Sequence, residues 1–394
     1  MAATDKGVWD LQEVRDKQLQ SEWEYVQLRN LMMTGVGNVG SMGLNLGDGV
    51  YRSSPTQLPG SWQSFSSSYY DSAGVKADGT LWSWGQNAEG SMGQEDTTAR
   101  SSPTQVGTDT TWNHVLMQGA AAACLATKTD GSLWSWGNNN DGQLGHNNKT
   151  QYSSPKQVGT DTTWDGTHGK LDGGQYSVGA IKTDGTFWRW GENEQGQLGH
   201  NNKTDYSSPK QVPGTWTYFS GGWQSSLQIK GGNLYFSGWG EKSANGLGGQ
   251  TSYSSPKQLP GSPGAGPFGT VTRCCSMEDG TGLVINTSGE LFSWGYNPNG
   301  QCGKNTNNNA SQYYSPQQIP GTTWEHIDSC RQAVFATKTD GTLWAWGQNF
   351  QGYLGIATRT SRSSPTQVGS GTNWELYRTK SWQCGAMGIV EAFP

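Results

Sequence analysis

The stretch from Lys128 to Gly145 reads Lys-Thr-Asp-Gly-Ser-Leu-Trp-Ser-Trp-Gly-Asn-Asn-Asn-Asp-Gly-Gln-Leu-Gly. Its Asp-Gly pair lies between two alternating runs, a strong signal for a two-residue hairpin turn because both central residues tolerate positive φ. The later Trp-Gly pair ends the second strand and opens a glycine-rich loop. The stretch therefore predicts two antiparallel strands followed by a tight loop.

Related copies of this stretch recur along the chain at a step of roughly fifty residues, which indicates a repeat architecture. A Ser-Pro element marks each step, at Pro55, Pro103, Pro155, Pro209, Pro256, Pro316 and Pro365. An aromatic residue also recurs seven times at about the same step, at Trp62, Trp112, Trp164, Trp216, Phe268, Trp324 and Trp374. Four short strands separated by glycine turns are typical of one propeller blade.

The repeats predict an all-β, seven-bladed β-propeller over residues 31–394, preceded by a separate arm over residues 1–30. The first glycine motif, Gly35 to Gly43, follows Thr34 instead of a Trp-Gly pair, as expected for a degenerate terminal repeat. After Trp374 and the strand-like stretch from Cys384 to Val390, no Asp-Gly or Trp-Gly follows, and Leu31 to Gly43 offers the opposite half of a blade. We therefore expect N- and C-terminal strands to complete one blade and close the ring, which leaves no free sheet edge.

The composition narrows the classes of function. Only 14% of the residues are charged, the formal net charge is −5, and the chain contains 58 glycines and 20 tryptophans. A nucleic-acid surface would normally show a basic patch, so no nucleic-acid partner is expected. No stretch approaches the ~20 apolar residues of a membrane span, and the N-terminus lacks the apolar run of a secretory signal.

Motifs for catalysis, metals and cofactors are absent from the sequence. The six cysteines have no metal-ligand spacing, and no Gly-x-Ser-x-Gly, His-Glu-x-x-His or P-loop occurs. Gly35 to Gly40 matches the dinucleotide fingerprint, but it lies in the repeated glycine turn and opens no helix. We therefore expect a protein that is not an enzyme and holds no cofactor and no metal.

The repeat from Lys128 to Gly145 closely resembles that of the regulator of chromosome condensation family, and the resemblance covers about Leu31 to Pro394. It implies a seven-bladed β-propeller. The repeat also contains Ser-Ser-Pro-x-Gln-Val and Gly-Thr-Asp-Thr-Thr-Trp segments. In these segments it is more similar to bacterial and viral members of the family than to the eukaryotic nuclear one. Many members carry Gly-x-x-His-Ser/Thr in an inner strand, whereas Gly222-Trp223-Gln224-Ser225 stands here without the histidine. This departure disfavours GTPase exchange and light sensing.

The N-terminal arm breaks the repeat. Residues 10–25 have a helix-permissive, charged composition, which predicts either an amphipathic helix folded back on the ring or an attachment arm. The segment from Gly7 to Lys17 resembles N-terminal segments of structural proteins from marine tailed phages. The expected attachment residues are Val8, Trp9, Leu11, Leu19 and Trp23.

From these features we expect a non-enzymatic binding or structural protein, most simply a phage virion component displayed as a capsid decoration or tail appendage. The arm would bind other virion proteins, the loops would face a host-surface protein or glycan, and the location would be the virion, or extracellular after lysis. The alternative is a cytoplasmic protein-interaction hub or regulator, including a GTPase exchange factor or an enzyme inhibitor. The ligand and the oligomeric state stay open.

Exposed aromatic and asparagine side chains in loops are the candidate contact positions. They are Trp223, Asn305, Asn307, Asn308, Asn309, Tyr313, Tyr314, His146 and His200. The two histidines occupy equivalent places in the identical segments Gln143 to Thr150 and Gln197 to Thr204.

Overall fold

The computed structural model describes residues 29–37, 42–45, 50–119, 122–260, 268–306, 312–376 and 389–392. These residues form β-strands, joined by turns and one 3-10 helix of three residues, Glu241–Ser243. The all-β prediction is confirmed. The predicted arm residues Val8, Trp9, Leu11, Leu19 and Trp23 lie outside the described residues, as do Asn307, Asn308 and Asn309.

Six four-stranded sheets, here called blades 1 to 6, are each built from strands that follow one another in the chain. Blade 1 contains β3 (Trp62–Ser67), β4 (Asp71–Lys76), β5 (Leu81–Gly85) and β6 (Arg100–Gln105). Blade 2 contains β7 (Trp112–Met117), β8 (Ala123–Lys128), β9 (Leu133–Gly137) and β10 (Tyr152–Gln157). Blade 3 contains β11 (Leu171–Gly173), β12 (Ser177–Ile181), β13 (Thr186–Gly191) and β14 (Tyr206–Thr215).

The other three blades repeat this antiparallel order. Blade 4 contains β15 (Tyr218–Gly221), β16 (Ser225–Lys230), β17 (Asn233–Gly238) and β18 (Tyr253–Gln258). Blade 5 contains β19 (Val271–Ser276), β20 (Thr281–Asn286), β21 (Leu291–Tyr296) and β22 (Gln312–Ile319). Blade 6 contains β23 (Trp324–Cys330), β24 (Ala333–Lys338), β25 (Leu343–Gly347) and β26 (Arg362–Gln367).

One further four-stranded sheet, here called the end sheet, combines both ends of the chain. Its strands are β1 (Arg29–Gly37), β2 (Val50–Leu58), β27 (Trp374–Leu376) and β28 (Ile389–Ala392), in the order β2-β1-β28-β27. Leu31 of β1 pairs with Val390 of β28, and Trp374 of β27 pairs with Glu391. The N-terminal strand is thus held between strands from both ends of the chain.

The glycine motif joins each sheet to the next, and the loop of blade 2 shows how. A side chain on Gly142 would place its Cβ 2.7 Å from Cα of Ser207 in blade 3, and one on Gly145 would place it 3.0 Å from Nε1 of Trp190. Only glycine allows this approach, and both residues have φ of +78°, which also favours glycine. Trp190 Nε1 donates a hydrogen bond to the Gln143 carbonyl at 2.8 Å.

A backbone hydrogen bond at the same place latches every sheet to its neighbour. The donors and acceptors are Asn45 to Ser101 (3.1 Å), Glu95 to Ser153 (2.8 Å), Asn147 to Ser207 (2.6 Å), Asn201 to Ser254 (2.6 Å), Gly248 to Tyr314 (2.9 Å), Asn305 to Ser363 (2.7 Å) and Ala357 to Ser53 (2.7 Å). The acceptors lie beside the recurring Ser-Pro prolines, so the two sequence markers are the two halves of one contact. The β-propeller architecture is therefore supported by equivalent contacts between successive sheets.

The core lies between blades rather than within them. One cluster joins Leu125 and Leu133 of blade 2 to Trp164, Val178 and Trp190 of blade 3. The tryptophan of each Trp-Gly pair in blades 1, 2, 3, 5 and 6 is fully buried. Because aromatic side chains bury large areas, these repeated tryptophans compensate for the low apolar content of the sequence.

Candidate functional site

The loops at one end of the blades come together and form what we call the loop face. It consists of the turns between the first and second strands and the loops between the third and fourth strands, which antiparallel order places at the same end of each sheet. Neighbouring turns touch: the Gln175 amide donates to the Trp223 carbonyl at 3.4 Å. A Cβ on Gly174 would lie 2.2 Å from the Gly222 carbonyl oxygen. The loop face of blades 3 and 4 is therefore tightly fixed.

Glu192 is an acid with a strongly raised pKa on this face. It follows the Trp190-Gly191 pair at the end of β13, and its amide donates to the Tyr176 carbonyl at 3.0 Å. Gln197 donates to its Oε2 at 3.1 Å and Gln224 of blade 4 to its Oε1 at 3.5 Å. Burial raises the pKa of Glu192 to about 7, with repulsion from Glu194 adding to the effect.

Three further carboxylates surround Glu192. Glu194 and Asp205 are exposed and Asp141 of blade 2 is half-buried. Burial also raises the pKa of Asp141; nearby Lys149 opposes that shift, while Asp205 and Glu194 add to it. The carboxylates repel one another, so this part of the loop face attracts cations and basic groups.

Aromatic side chains flank these acids. Tyr176 accepts a hydrogen bond from Gln175 Nε2 at 2.8 Å, and burial raises its pKa, with Asp141 and Glu192 contributing. The half-buried ring of Trp223 meets the ring of Trp239 edge-on, with centroids 6.4 Å apart. We call the group Asp141, Tyr176, Glu192, Glu194, Asp205 and Trp223 the Glu192 patch. Its mixture of charge and aromatic surface suits contact with a protein that presents basic side chains.

Blade 2 shows what the same loop looks like without this charge. Asn138 stands where blade 3 has Glu192, and it accepts a hydrogen bond from Gln143 Nε2 at 2.8 Å. The eight residues from Gln143 and from Gln197 are identical, whereas the preceding Asn-Asn-Asn-Asp becomes Glu-Asn-Glu-Gln in blade 3. This departure from the repeat was the available signal for Glu192, which sequence analysis missed.

Of the predicted contact positions, Trp223 lies in the Glu192 patch and the histidines lie elsewhere. His146 and His200 are half-buried beside the clefts between blades, each edge-on to a tyrosine, Tyr152 or Tyr206, with centroids 5.2 Å apart. Burial lowers the pKa of each histidine to about 4, so both are neutral at pH 7. They occupy equivalent places in two separate clefts.

The remaining predicted positions lie on blade 5. Asn305 is exposed and has a φ of +58°, and its amide forms the latch to Ser363. Tyr313 donates to or accepts from the Thr306 hydroxyl at 2.8 Å, while Tyr314 is 49% exposed. The predicted positions that the structure describes are therefore distributed over several blades.

A metal site is not assembled in the described part of the chain. Among those residues no group of three or more His, Cys, Asp or Glu side chains could hold a metal ion. Cys124, Cys274, Cys275 and Cys302 are buried and are not disulfide-bonded, and burial raises the pKa of Cys124 and Cys302. Within the same residues, no helix has the length and apolar character to cross a bilayer.

Comparison with protein families identifies the repeat. The Regulator of chromosome condensation (RCC1) repeat matches residues 78–117, 130–164, 184–229, 288–330 and 340–389, together more than half of the chain. The solved structure of human WBSCR16 superposes with a TM-score of 0.76 at 20% identity and covers 93% of this chain and 100% of that one. Prp20p from Saccharomyces cerevisiae superposes with a TM-score of 0.75 at 16% identity, covering 93% and 91%.

Curated relatives are similar over parts of their length. The ultraviolet-B receptor UVR8 of Arabidopsis thaliana is 25% identical over 73% of this chain, which spans 65% of the receptor. The protein RCC2 homolog of Xenopus laevis is 26% identical over 69% of this chain and 56% of its own length. The human E3 ubiquitin-protein ligase HERC2 is 25% identical over 75% of this chain, but only 6% of HERC2 is matched.

These relatives correct one expectation from the sequence. The predicted virion or extracellular location is wrong: the similar proteins are eukaryotic, from plant, frog, human and yeast, and they favour the cytoplasmic alternative. The comparisons likewise do not show a bacterial or phage type of repeat, or a phage origin for the arm.

Propellers of this repeat are generally non-enzymatic binders and regulators of other proteins. The matched repeats contain the Trp-Gly strands and the glycine loops that form the latches between sheets. The chain therefore belongs to the regulator of chromosome condensation (RCC1) repeat family.

Proposed function

We propose that this chain is a non-enzymatic, cytoplasmic interaction hub or regulator whose Glu192 patch binds a basic surface of a protein partner. The observation that carries the proposal is the buried Glu192 carboxyl among Asp141, Glu194 and Asp205. A group with a pKa of about 7 is partly protonated in the free protein. A lysine or arginine of the partner would stabilise its charged form and release the proton.

Rigidity supports the same proposal. The turns that carry Tyr176 and Trp223 are held by glycine contacts and backbone hydrogen bonds. Little conformational entropy is therefore lost when a partner binds, and the aromatic rings add apolar contact at low cost. Surface carboxylates around the rings would steer a basic partner and set its orientation.

The relatives indicate which partners to test first. The structure of Prp20p is reported with its binding to Gsp1p and histones, and a second structure shows yeast RCC1 bound to Kap60. A GTPase regulator and a binder of basic proteins are thus the two narrower versions of the proposal. The departures from the family's histidine motif, such as Gly222-Trp223-Gln224-Ser225, favour the second.

Two structural predictions belong to the proposal as well. We propose that blades 1 to 6 and the end sheet form one closed seven-bladed ring, which the latches from Asn45 to Ser101 and from Ala357 to Ser53 support. We also propose that the predicted arm, shortened to residues 1–28 because β1 begins at Arg29, is separate from the ring and dispensable for its folding. Deleting residues 1–28 would then leave the unfolding midpoint unchanged.

The test of the function is binding of the full chain to core histones and to a Gsp1p-type GTPase by biolayer interferometry at graded salt. The variant Glu192→Asn with Glu194→Asn gives blade 3 the uncharged residues of blade 2. We expect it to weaken binding at least tenfold at low salt. Glu325→Gln, which removes an exposed carboxylate from blade 6, is the matched control and should bind as the wild type does. Equal binding by both variants would refute the proposal.

A further inference from the structure

Four blades hold a lysine between two tryptophan rings at the end opposite the loop face. The Nζ of Lys128 lies 4.8 and 3.9 Å from the ring centroids of Trp112 and Trp134. Equivalent lysines are Lys182 between Trp164 and Trp188, Lys338 between Trp324 and Trp344, and Lys76 between Trp62 and Trp82. A cation over two aromatic faces is stabilised, but its hydrogen-bonding groups still need an acceptor.

In blades 2 and 3 the chain supplies that acceptor itself. Lys128 Nζ lies 2.7 Å from Asp109 Oδ2, and Lys182 forms the same ion pair with Asp161. Both aspartates belong to a Gly-Thr-Asp-Thr-Thr-Trp segment that leads into the blade. The lysines lower the pKa of each aspartate to about 2. In both blades, therefore, a carboxylate of the chain itself pairs with the ammonium group of the lysine.

Blade 6 lacks this carboxylate. Its leading segment is shortened to Gly321-Thr322-Thr323 before Trp324, and within the described residues Lys338 forms no ion pair. The turn residue Asp340 does not replace it, because its Oδ1 accepts from the Thr342 hydroxyl at 2.6 Å and from the Thr342 amide at 3.0 Å. Blade 2 has the same turn, with Asp130 bound to Ser132, and still adds Asp109.

An open cleft of about 310 Å³ lies beside Lys338. Its walls include Trp324, Trp344, Pro320 and Pro365, and a second cation, Lys304, lines it. Lys304 Nζ donates to the Gln318 carbonyl at 2.5 Å, which holds it near the cleft. Among the described residues no acidic side chain lines this cleft, so it combines two ammonium groups with apolar, aromatic and proline walls.

We propose that this blade 6 cleft binds an acidic linear peptide of a partner protein. A carboxylate of the peptide takes the place that Asp109 and Asp161 hold in blades 2 and 3, and pairs with Lys338. A proline or apolar neighbour in the peptide packs against Trp324 and Pro365, which a small free anion would leave exposed. The inference is independent of the Glu192 patch, which selects the opposite charge at the other end of the blades.

Blade 1 provides a useful contrast. Lys76 also follows a short leading segment, Gly60-Ser61, but the neighbouring cleft is lined by Gly60, Ser61, Lys76, Ala77 and Asp78. It has an acidic residue, no second lysine and no proline wall. The uncapped lysine alone therefore does not make the site, and the peptide is expected to prefer blade 6 to blade 1.

The test is an NMR titration of the full chain that follows the indole N–H signals of Trp324 and Trp344. The probe is a pool of acetylated, amidated octapeptides with one Asp-Glu pair among Pro, Leu and Trp, and an Asn-Gln pool is the matched control. We expect saturable shifts with the acidic pool alone. Sodium acetate is the probe for free carboxylate. Equal shifts with the Asn-Gln pool, saturation by millimolar acetate, or no shift with any pool would overturn the proposal.

Two variants locate the site. Lys338→Gln should weaken binding of the acidic pool at least tenfold. Lys182→Gln should not, because the equivalent lysine of blade 3 is already paired with Asp161. Replacing Gly321–Thr323 with Gly-Thr-Asp-Thr-Thr gives blade 6 its own carboxylate and should abolish binding while the fold, checked by thermal unfolding, is retained. Full binding by this folded graft would contradict the inference even if Lys338→Gln failed to fold.

Discussion

Blades 2 and 3 share the loop Gln-Leu-Gly-His-Asn-Asn-Lys-Thr, yet they differ in what surrounds it. In blade 2 the third strand carries Ser135, whose hydroxyl donates to the Leu144 carbonyl at 2.7 Å. Blade 3 has Arg189 at that place, fully buried, with its Nη1 donating to the Ser226 hydroxyl at 2.9 Å and, among the described residues, no hydrogen-bond partner for its Nη2. The residues that are the same in every repeat form the contacts that hold the propeller together. The residues that differ between repeats give each blade its own charge and hydrogen-bonding groups.

The largest effect is expected where the two blades agree. Trp136→Ala and Trp190→Ala each remove a fully buried ring that is latched to the preceding loop, at Ser91 and Gln143 respectively. Each should destabilise the protein by about 3–5 kcal/mol, as for large core deletions. Urea unfolding followed by circular dichroism would measure the shift in midpoint. A large difference between the two variants would show that the blades are not equivalent in the core.

The next effect separates the blades. Leu125 of blade 2 is fully buried, and Leu125→Ala should cost about 2–5 kcal/mol by leaving a cavity. Its blade 3 counterpart is Gly179, where a Cβ would lie 2.7 Å from Arg189 Cδ and 2.7 Å from the Phe219 ring. Gly179→Ala should therefore also destabilise, by about 1–3 kcal/mol through overpacking. A neutral Gly179→Ala in the same unfolding assay would show that Arg189 is not confined as described.

The pH dependence should distinguish Glu192 from Asn138. Because the native pKa of Glu192 is raised to about 7 from 4.5, the unfolded state loses its proton first and stability falls as pH rises from 4.5 to 7. After allowance for solvent screening, the loss is about 1–2 kcal/mol. His146 and His200, with pKa values lowered to about 4, act in the opposite direction between pH 4 and 6.5.

The comparison of wild type with Glu192→Asn isolates the acid from the histidines, which both proteins share. Free energies of unfolding measured at half-unit steps from pH 5 to 8 should converge at low pH, with the variant becoming relatively more stable toward pH 7. Parallel curves would mean that the pKa of Glu192 is not raised.

The smallest effect concerns the histidines. The Ser135 hydroxyl lies 2.9 Å from His146 Nε2, whereas the partner of His200 Nε2 within the described residues is the more distant Arg189 carbonyl, at 3.4 Å. Ser135→Ala should cost about 1 kcal/mol, the usual net value of such a hydrogen bond. An NMR titration should show a changed pKa for His146 and none for His200. A shift at His200 would indicate coupling between the clefts.

Much of the fold was predictable because its contacts are local in the repeat. The Asp-Gly turns, the Trp-Gly strands and the Ser-Pro elements each correspond to a described feature, and the all-β propeller prediction is confirmed. The latch between Asn147 and Ser207 was not predictable in detail, since it joins neighbouring blades through backbone atoms whose positions depend on the whole ring.

The candidate site was less predictable than the fold. Trp223 was selected as an aromatic loop residue, but Glu192 was not, because its raised pKa depends on burial first, and then on Glu194 and on Asp141 of blade 2. The missing carboxylate beside Lys338 was visible only after blades 2 and 3 showed where Asp109 and Asp161 lie. The predicted virion or extracellular location was wrong for a different reason. The charge-poor composition suggested an extracellular protein, whereas the relatives favour the cytoplasmic alternative.

The most direct test of the central claim is site-specific photocrosslinking on the loop face. Benzoylphenylalanine would replace Glu194 of blade 3 and, in separate samples, its counterparts Asn140 of blade 2 and Phe350 of blade 6, all of them exposed. Core histones would be the basic partner, and mass spectrometry would count the crosslinks. The account predicts the most crosslinks from Glu194 and few from Phe350. Equal or greater crosslinking from Phe350 would contradict it.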